Sequence, residues 1–113
     1  MSEKAKRLRV YLSERDHAEG RPLWQTILER AHQDGLTGAV VFKGLAGYGA
    51  HHRIKATNVL ALSEDLPLVM EIVDAESRLQ PFMTWLDSTL QEGLATLEDV
   101  EARLFRNGKR AGI

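Results

Sequence analysis

The 113-residue sequence contains no cysteine. Disulfide frameworks, zinc fingers, iron–sulfur clusters and thiol catalysis are excluded with it. A cysteine-free chain suits a reducing compartment, and a cytoplasmic location is expected. A dominant charge sign is also lacking. Fifteen Lys and Arg face sixteen Asp and Glu, for a formal net charge of −1. Such a balance gives no field that would draw the whole chain to nucleic acid or an anionic membrane. No nucleic-acid partner is therefore expected. Long apolar runs are missing as well, since no uncharged stretch approaches the ~20 residues that span a bilayer. The opening Met-Ser-Glu-Lys-Ala-Lys-Arg has charge but no apolar segment behind it, so a secretory signal is not expected.

What is present is enough apolar material for one core, 43% of residues. A single domain over residues 1–113 is expected, with loose tails at 1–5 and 107–113. Leu8, Val10 and Leu12 alternate with Arg7, Arg9 and Tyr11, the period of a half-buried strand. Pro22 stands where a helix can begin. Leu23, Trp24, Ile27, Leu28 and Ala31 then share one helical face, and Gly35 is a natural stop. Ala39 to Phe42 reads as a second strand, Asn58 to Leu62 as a short addition, and Leu66 to Val73 as a third main strand. A second helix starts near Ser77 or Arg78, before Pro81, with Leu79, Phe82, Met83, Leu86 and Leu90 as its apolar stripe. Gly93 ends it. Val100, Ala102 and Leu104 make a last strand, followed by a basic tail. The order strand, helix, strand, strand, helix, strand is the split βαβ pattern. The fold class is thus α+β: a ferredoxin-like βαββαβ sandwich, with two helices on one face of a four-stranded antiparallel sheet.

The chemistry-bearing residues gather between the second and third main strands. Gly44, Gly47 and Gly49 form neither a Walker A loop nor a Rossmann fingerprint. They fit a strand end with a bulge, or a close approach of backbone to a ligand. His51, His52, Arg53 and Lys55 follow as a basic loop, fit for solvent, an anionic ligand or a partner. Adjacent histidines rarely chelate one metal together, so His51 and His52 are weak metal candidates. Lys43 is either a solubilising strand end or a phosphate contact, and Arg103 either a surface charge or a phosphate ligand. No carboxylate pair points to a shared catalytic cleft.

Three stretches carry a family resemblance: Val41-Phe42-Lys43-Gly44-Leu45-Ala46-Gly47-Tyr48-Gly49, Leu62 to Asp74, and Gly93 to Val100. Together with Arg21-Pro22-Leu23 they resemble the PII-like family called DUF family 190, from about Arg7 to Phe105. The resemblance implies a homotrimer of ferredoxin-like subunits with a long loop between the second and third strands. It further implies that adenine nucleotides bind between subunits near the base of that loop. Lys43, Gly44, Gly47, Tyr48, Gly49, Arg53, Lys55 and Arg103 are the ligand-binding residues so implied. Gly93 to Asp99 falls where PII proteins place a phosphate-binding turn. Here that turn carries Glu98 and Asp99 and no Lys, which favours AMP or ADP over ATP as effector. The expected role is a non-enzymatic regulator whose loop 47–56 acts on a partner, with a membrane channel or transporter the one the resemblance suggests. Two rivals stand beside it. One is a metal-binding ferredoxin-like trimer of the copper-tolerance type, resting on His51, His52 and Met70 or Met83. The other is a small nucleotide-acting enzyme.

Overall fold

A computed structural model describes residues 4–49, 54–56 and 65–112. Strand β1 (Ala5–Ser13) forms as its alternation requires, with Leu8, Val10 and Leu12 buried on one face. A short ladder of β2 (His17–Ala18) and β3 (Arg21–Pro22) leads into helix α1 (Leu23–Gln33). Pro22, at φ −55°, is set for the helix entry, and Gly35, at φ +72°, takes the left-handed stop. Strand β4 (Ala39–Lys43) follows, then a small ladder of β5 (Ala46–Gly47) with β6 (Lys55–Ala56). Strand β7 (Pro67–Ala75) runs directly into helix α2 (Glu76–Thr89). Strand β8 (Leu94–Val100) and a hairpin of β9 (Leu104–Arg106) and β10 (Lys109–Ala111) complete the described chain.

The main sheet has the order β4-β7-β1-β8 and is antiparallel throughout. This is the ferredoxin-like arrangement expected from the sequence. The register sets Leu8 opposite Ile72, Val10 opposite Met70 and Leu12 opposite Leu68. All six face the helices. From α1 come Leu23, Ile27 and Ala31, one helical turn apart; from α2 come Leu79, Phe82 and Leu86. Phe82 is fully buried, and truncating such a ring costs about 3–5 kcal/mol. Arg30 of α1 lies 5.0 Å over the Trp85 ring of α2, a cation–π contact between the helices.

Several boundaries differ from the sequence reading. The last sheet strand begins at Leu94, not Val100, so Glu98 and Asp99 lie within a strand and not in a turn. The tail read as loose from residue 106 is a hairpin. Asn107 and Gly108 have φ of +53° and +74°, the two positive values that a two-residue turn between twisted strands favours. Helix α2 ends at Thr89, and Gly93, at φ +131°, instead opens β8. Pro81 is the sixth residue of α2, beyond the first turn. The short strand expected over 58–62 lies outside the described residues.

A candidate ligand site at the base of the loop

The β4–β7 connection is anchored at its mouth. The Gly44 amide donates to the Pro67 carbonyl at 2.7 Å. A Cβ on Gly44 would stand 2.9 Å from Pro67 Cγ, and one on Gly47 3.2 Å from the same atom. These two glycines therefore permit close packing on Pro67, and neither has a positive φ. Gly49 has nothing within 4 Å of its absent Cβ. Of the three, it alone leaves room for an incoming group.

Lys43, at the end of β4, is held by Glu14: Nζ lies 2.9 Å from Oε1. The other oxygen of Glu14 accepts from the Leu66 amide at 3.2 Å. The Glu14 amide donates to the Leu66 carbonyl at 2.9 Å. One carboxylate thus ties the strand leaving the sheet to the strand returning to it. Asp16 accepts from the Ser13 amide at 2.9 Å, and the Ser13 hydroxyl donates to Asp65. Nothing in the sequence marked Glu14, which lies twenty-nine positions from Lys43. Its role needed the register.

The remaining predicted residues scatter. Tyr48 is 67% exposed, beside the exposed Leu45 and Ile54 on the same arm. Lys55 pairs with Gly47 in the β5–β6 ladder. His51, His52 and Arg53 lie outside the described residues. Arg103 sits on the connection after β8, not on a strand, and its guanidinium is 3.3 Å from Glu101. Lys43 ends the strand at one sheet edge; Arg103 follows the far end of the strand at the opposite edge. Three strand spacings and seven residues of rise put these corners roughly 25 Å apart. One chain does not bring them together.

Glu98 and Asp99 also behave differently from the expectation. Asp99 pairs with Lys6, with Lys4 3.9 Å away. Its pKa falls below the usual carboxylate value, first through the hydrogen bond from Lys6 and then through the charge of Lys4. The Lys6 pKa rises, again chiefly through the bond to Asp99. Glu98 is 2.9 Å from Arg7 and 3.5 Å from Arg9, and Arg9 donates to Glu71 at 3.1 Å. The hydrogen bond to Glu71 is the main reason the Arg9 pKa rises. Both carboxylates are therefore matched by cations within the sheet, and the idea that they would repel a phosphate as free charges is withdrawn.

This second network occupies the sheet face without helices. Around it stand Tyr11, Val40, Phe42 and Leu94, with Val40 and Phe42 each 52% and Leu94 60% exposed. Among the described residues no cluster of His, Asp and Glu could hold a metal. Met70 is fully buried in the core and Met83 packs against it, so neither serves the metal reading as a surface ligand. A groove of about 500 Å³ opens beside the end of α1, lined by Leu28, His32, Leu36 and Thr37 among others. None of the predicted ligand residues lines it. No described helix is long and apolar enough to cross a membrane.

Two helices on one face of a four-stranded antiparallel sheet, with a long arm between the second and third main strands, define a ferredoxin-like sandwich of the PII-like kind. Solved structures agree. The chain matches CPII, a nitrogen regulatory PII-like protein from Thiomonas intermedia K12 bound to ADP, AMP and bicarbonate. That match has a TM-score of 0.59 at 17% identity and covers 95% of this chain and 93% of that one. A second CPII structure, bound to ADP and bicarbonate, matches with a TM-score of 0.54 at 20% identity, covering 96% and 95%. The chain belongs to the DUF190 family, described as "Uncharacterized ACR", whose model matches residues 5–102. A UPF0166 protein of Aquifex aeolicus (strain VF5) is 42% identical over 98 residues, 87% of this chain and 92% of that protein. The UPF0166 protein MJ1524 of Methanocaldococcus jannaschii is 33% identical over 97 residues, 85% and 89% respectively.

Proposed function

We infer that this protein is a non-enzymatic, PII-like cytoplasmic regulator that assembles as a homotrimer and binds an adenine nucleotide between copies. The separation of Lys43 and Arg103 on opposite corners of the sheet carries the reading. A ligand that uses both must take them from different copies. The helix-free sheet face supports assembly too. Its exposed Val40, Phe42 and Leu94 rim a matched ion network, a surface suited to burial against a like surface.

In this reading the phosphate meets Lys43, the backbone at Gly44, Gly47 and Gly49, and Arg53, Lys55 and Arg103, with Tyr48 beside the base. AMP or ADP is favoured over ATP, for a reason different from the one the sequence suggested. Lys43 is the described cation at the loop base, and Glu14 already holds it, while Asp16 and Asp65 stand alongside. A ligand with fewer negative charges is easier to accommodate there. Ligand binding then biases the arm that includes 47–56, and the exposed Leu45, Tyr48 and Ile54 are its contact surface for a partner such as a membrane channel or transporter.

Calorimetry with AMP, ADP and ATP on the purified protein tests this. Binding of AMP or ADP, weakened by Lys43→Ala, is expected. Absence of heat from all three at millimolar concentration would remove nucleotide from the proposal.

A further inference from the structure

The β9–β10 hairpin stands apart from everything above. It follows the last residue of the family match. Its apolar residues Leu104, Phe105 and Ala111 take no part in the core or in the layer packed on it. Phe105 is 67% exposed. Two three-residue strands are marginal in water without a surface to pack on.

Its charge is more telling. Residues 103–112 hold Arg103, Arg106, Lys109 and Arg110 and no carboxylate, a net +4. Residues 1–102 hold eleven cations against sixteen carboxylates, a net −5. The near-neutral chain is thus divided into a cationic hairpin and an anionic body. Within the hairpin, Arg106 is directly opposite Lys109. Like charges across a strand pair destabilise it. Among the described residues no carboxylate pairs with Arg106, Lys109 or Arg110. Phe105 and Arg110 share the other face of the ladder.

We propose that this hairpin is a clasp that docks on a second copy of the same chain, against the carboxylates gathered around Ser13 at the loop base. The inference rests on the assembly reading above and names the segment that joins neighbours. The charge complement is on the page: Glu14, Asp16 and Asp65 surround Ser13, with Lys43 the cation tied to them. The geometry agrees. The hairpin leaves the sheet at the corner diagonal to the loop base. Head-to-tail contact between unlike corners is heterologous, and such contacts close into rings.

Sedimentation velocity on the full chain at about 50 mM and about 500 mM salt is the test, since added salt screens such pairs. The wild type is expected to assemble, with a dissociation constant at least about tenfold higher at high salt. The R106E/K109E/R110E variant is expected to stay monomeric at low salt where the wild type is assembled. Circular dichroism checks its fold, and Phe105→Ala is a milder second variant, expected to weaken assembly. The absence of cysteine gives an independent arm. Chains carrying Lys109→Cys and chains carrying Asp16→Cys, mixed and mildly oxidised, are expected to form a disulfide-linked heterodimer. An assembled wild type with an unaffected charge-reversal variant and no cross-link overturns the clasp alone. A monomeric wild type overturns the assembly reading together with it. Hairpin-dependent binding to phosphatidylserine vesicles, with assembly unchanged, would also overturn it, in favour of a membrane.

Discussion

Replacing Asp74 by Ala should destabilise the fold more than any other polar substitution in the described chain. Asp74 is the one buried charged residue among the described residues, with no exposure. It stands at the end of β7, where three segments meet. One oxygen accepts from the Thr37 amide at 2.7 Å, the other from the Ala75 amide at 2.7 Å, and Arg78 Nε approaches at 3.3 Å. Arg78 also donates to the Gly35 carbonyl. The carboxylate therefore fastens the α1–β4 turn to the start of α2. Alanine orphans two backbone donors, at about 1–3 kcal/mol each for buried groups. Thr37 is half-buried, so water recovers part of that cost. Loss of a carboxylate-centred network adds to the total, and the expected loss is about 3–5 kcal/mol. Against a total stability of about 5–15 kcal/mol, that is a large fraction. Urea unfolding at neutral pH measures it through the midpoint at constant slope. Arg78→Met keeps both amide bonds, and its partner side chain is 46% exposed, so a loss of about 1 kcal/mol is expected there. If Asp74→Ala costs less than Arg78→Met, the amide-anchoring argument is wrong.

Three further outcomes follow from the same geometry. Gly44→Ala should cost about 1–3 kcal/mol, because its Cβ would sit 2.9 Å from Pro67 Cγ, while Gly49→Ala, in open space, should cost little; unfolding midpoints compare them. Glu14→Gln should leave Lys43 free, so AMP affinity measured by calorimetry should rise about two- to fivefold, the value of a partly exposed ion pair; weaker binding would contradict the clamp. Asp99 has a lowered folded pKa, so its contribution is full above the ordinary carboxylate value and is lost as pH falls through the folded one. Lys6 has a raised pKa, so its contribution is full below the ordinary lysine value and is lost as pH rises through the folded one. Asp99→Asn should therefore narrow the stability difference between mildly acidic and strongly acidic buffer, and an unchanged difference would count against the pair.

The parts of this structure legible in the sequence are those where one face is buried. Strand β1 alternates cleanly because its Leu8, Val10 and Leu12 must enter the core while Arg7 and Arg9 must not. Both helices show their stripes for the same reason. Strand β8 was missed because it is a sheet edge, exposed on much of both faces, and Leu94-Ala95-Thr96-Leu97 has no period of two. The C-terminal hairpin left a signal, Asn107-Gly108, but its strands are three residues long and carry no apolar pattern. At the site, what the sequence could not supply was pairing at a distance. Glu14 finds Lys43, Lys6 finds Asp99, and Gly44 finds Pro67 only once the register is known. That is also why Glu98 and Asp99 read as a repulsive turn. Their cations lie on β1, some ninety positions away.

The glycine segment that drew notice in the sequence now divides into two functions. Gly44 and Gly47 serve the fold, by letting the loop mouth close on Pro67. Gly49 and the arm beyond it have no such duty toward the described residues. Past the mouth the chain therefore stops being shaped by its own core and becomes available to something else. The sheet has the same division. Its inner face is filled, while its outer face carries a satisfied ion network inside an exposed apolar rim. The cations of the C-terminal hairpin are unmatched, and those of the loop base are overmatched. Each deficit in one chain corresponds to an excess at the opposite corner of the same chain. Repetition of the chain around an axis brings such corners together, so the smallest unit in which this surface is chemically complete is an assembly of identical copies.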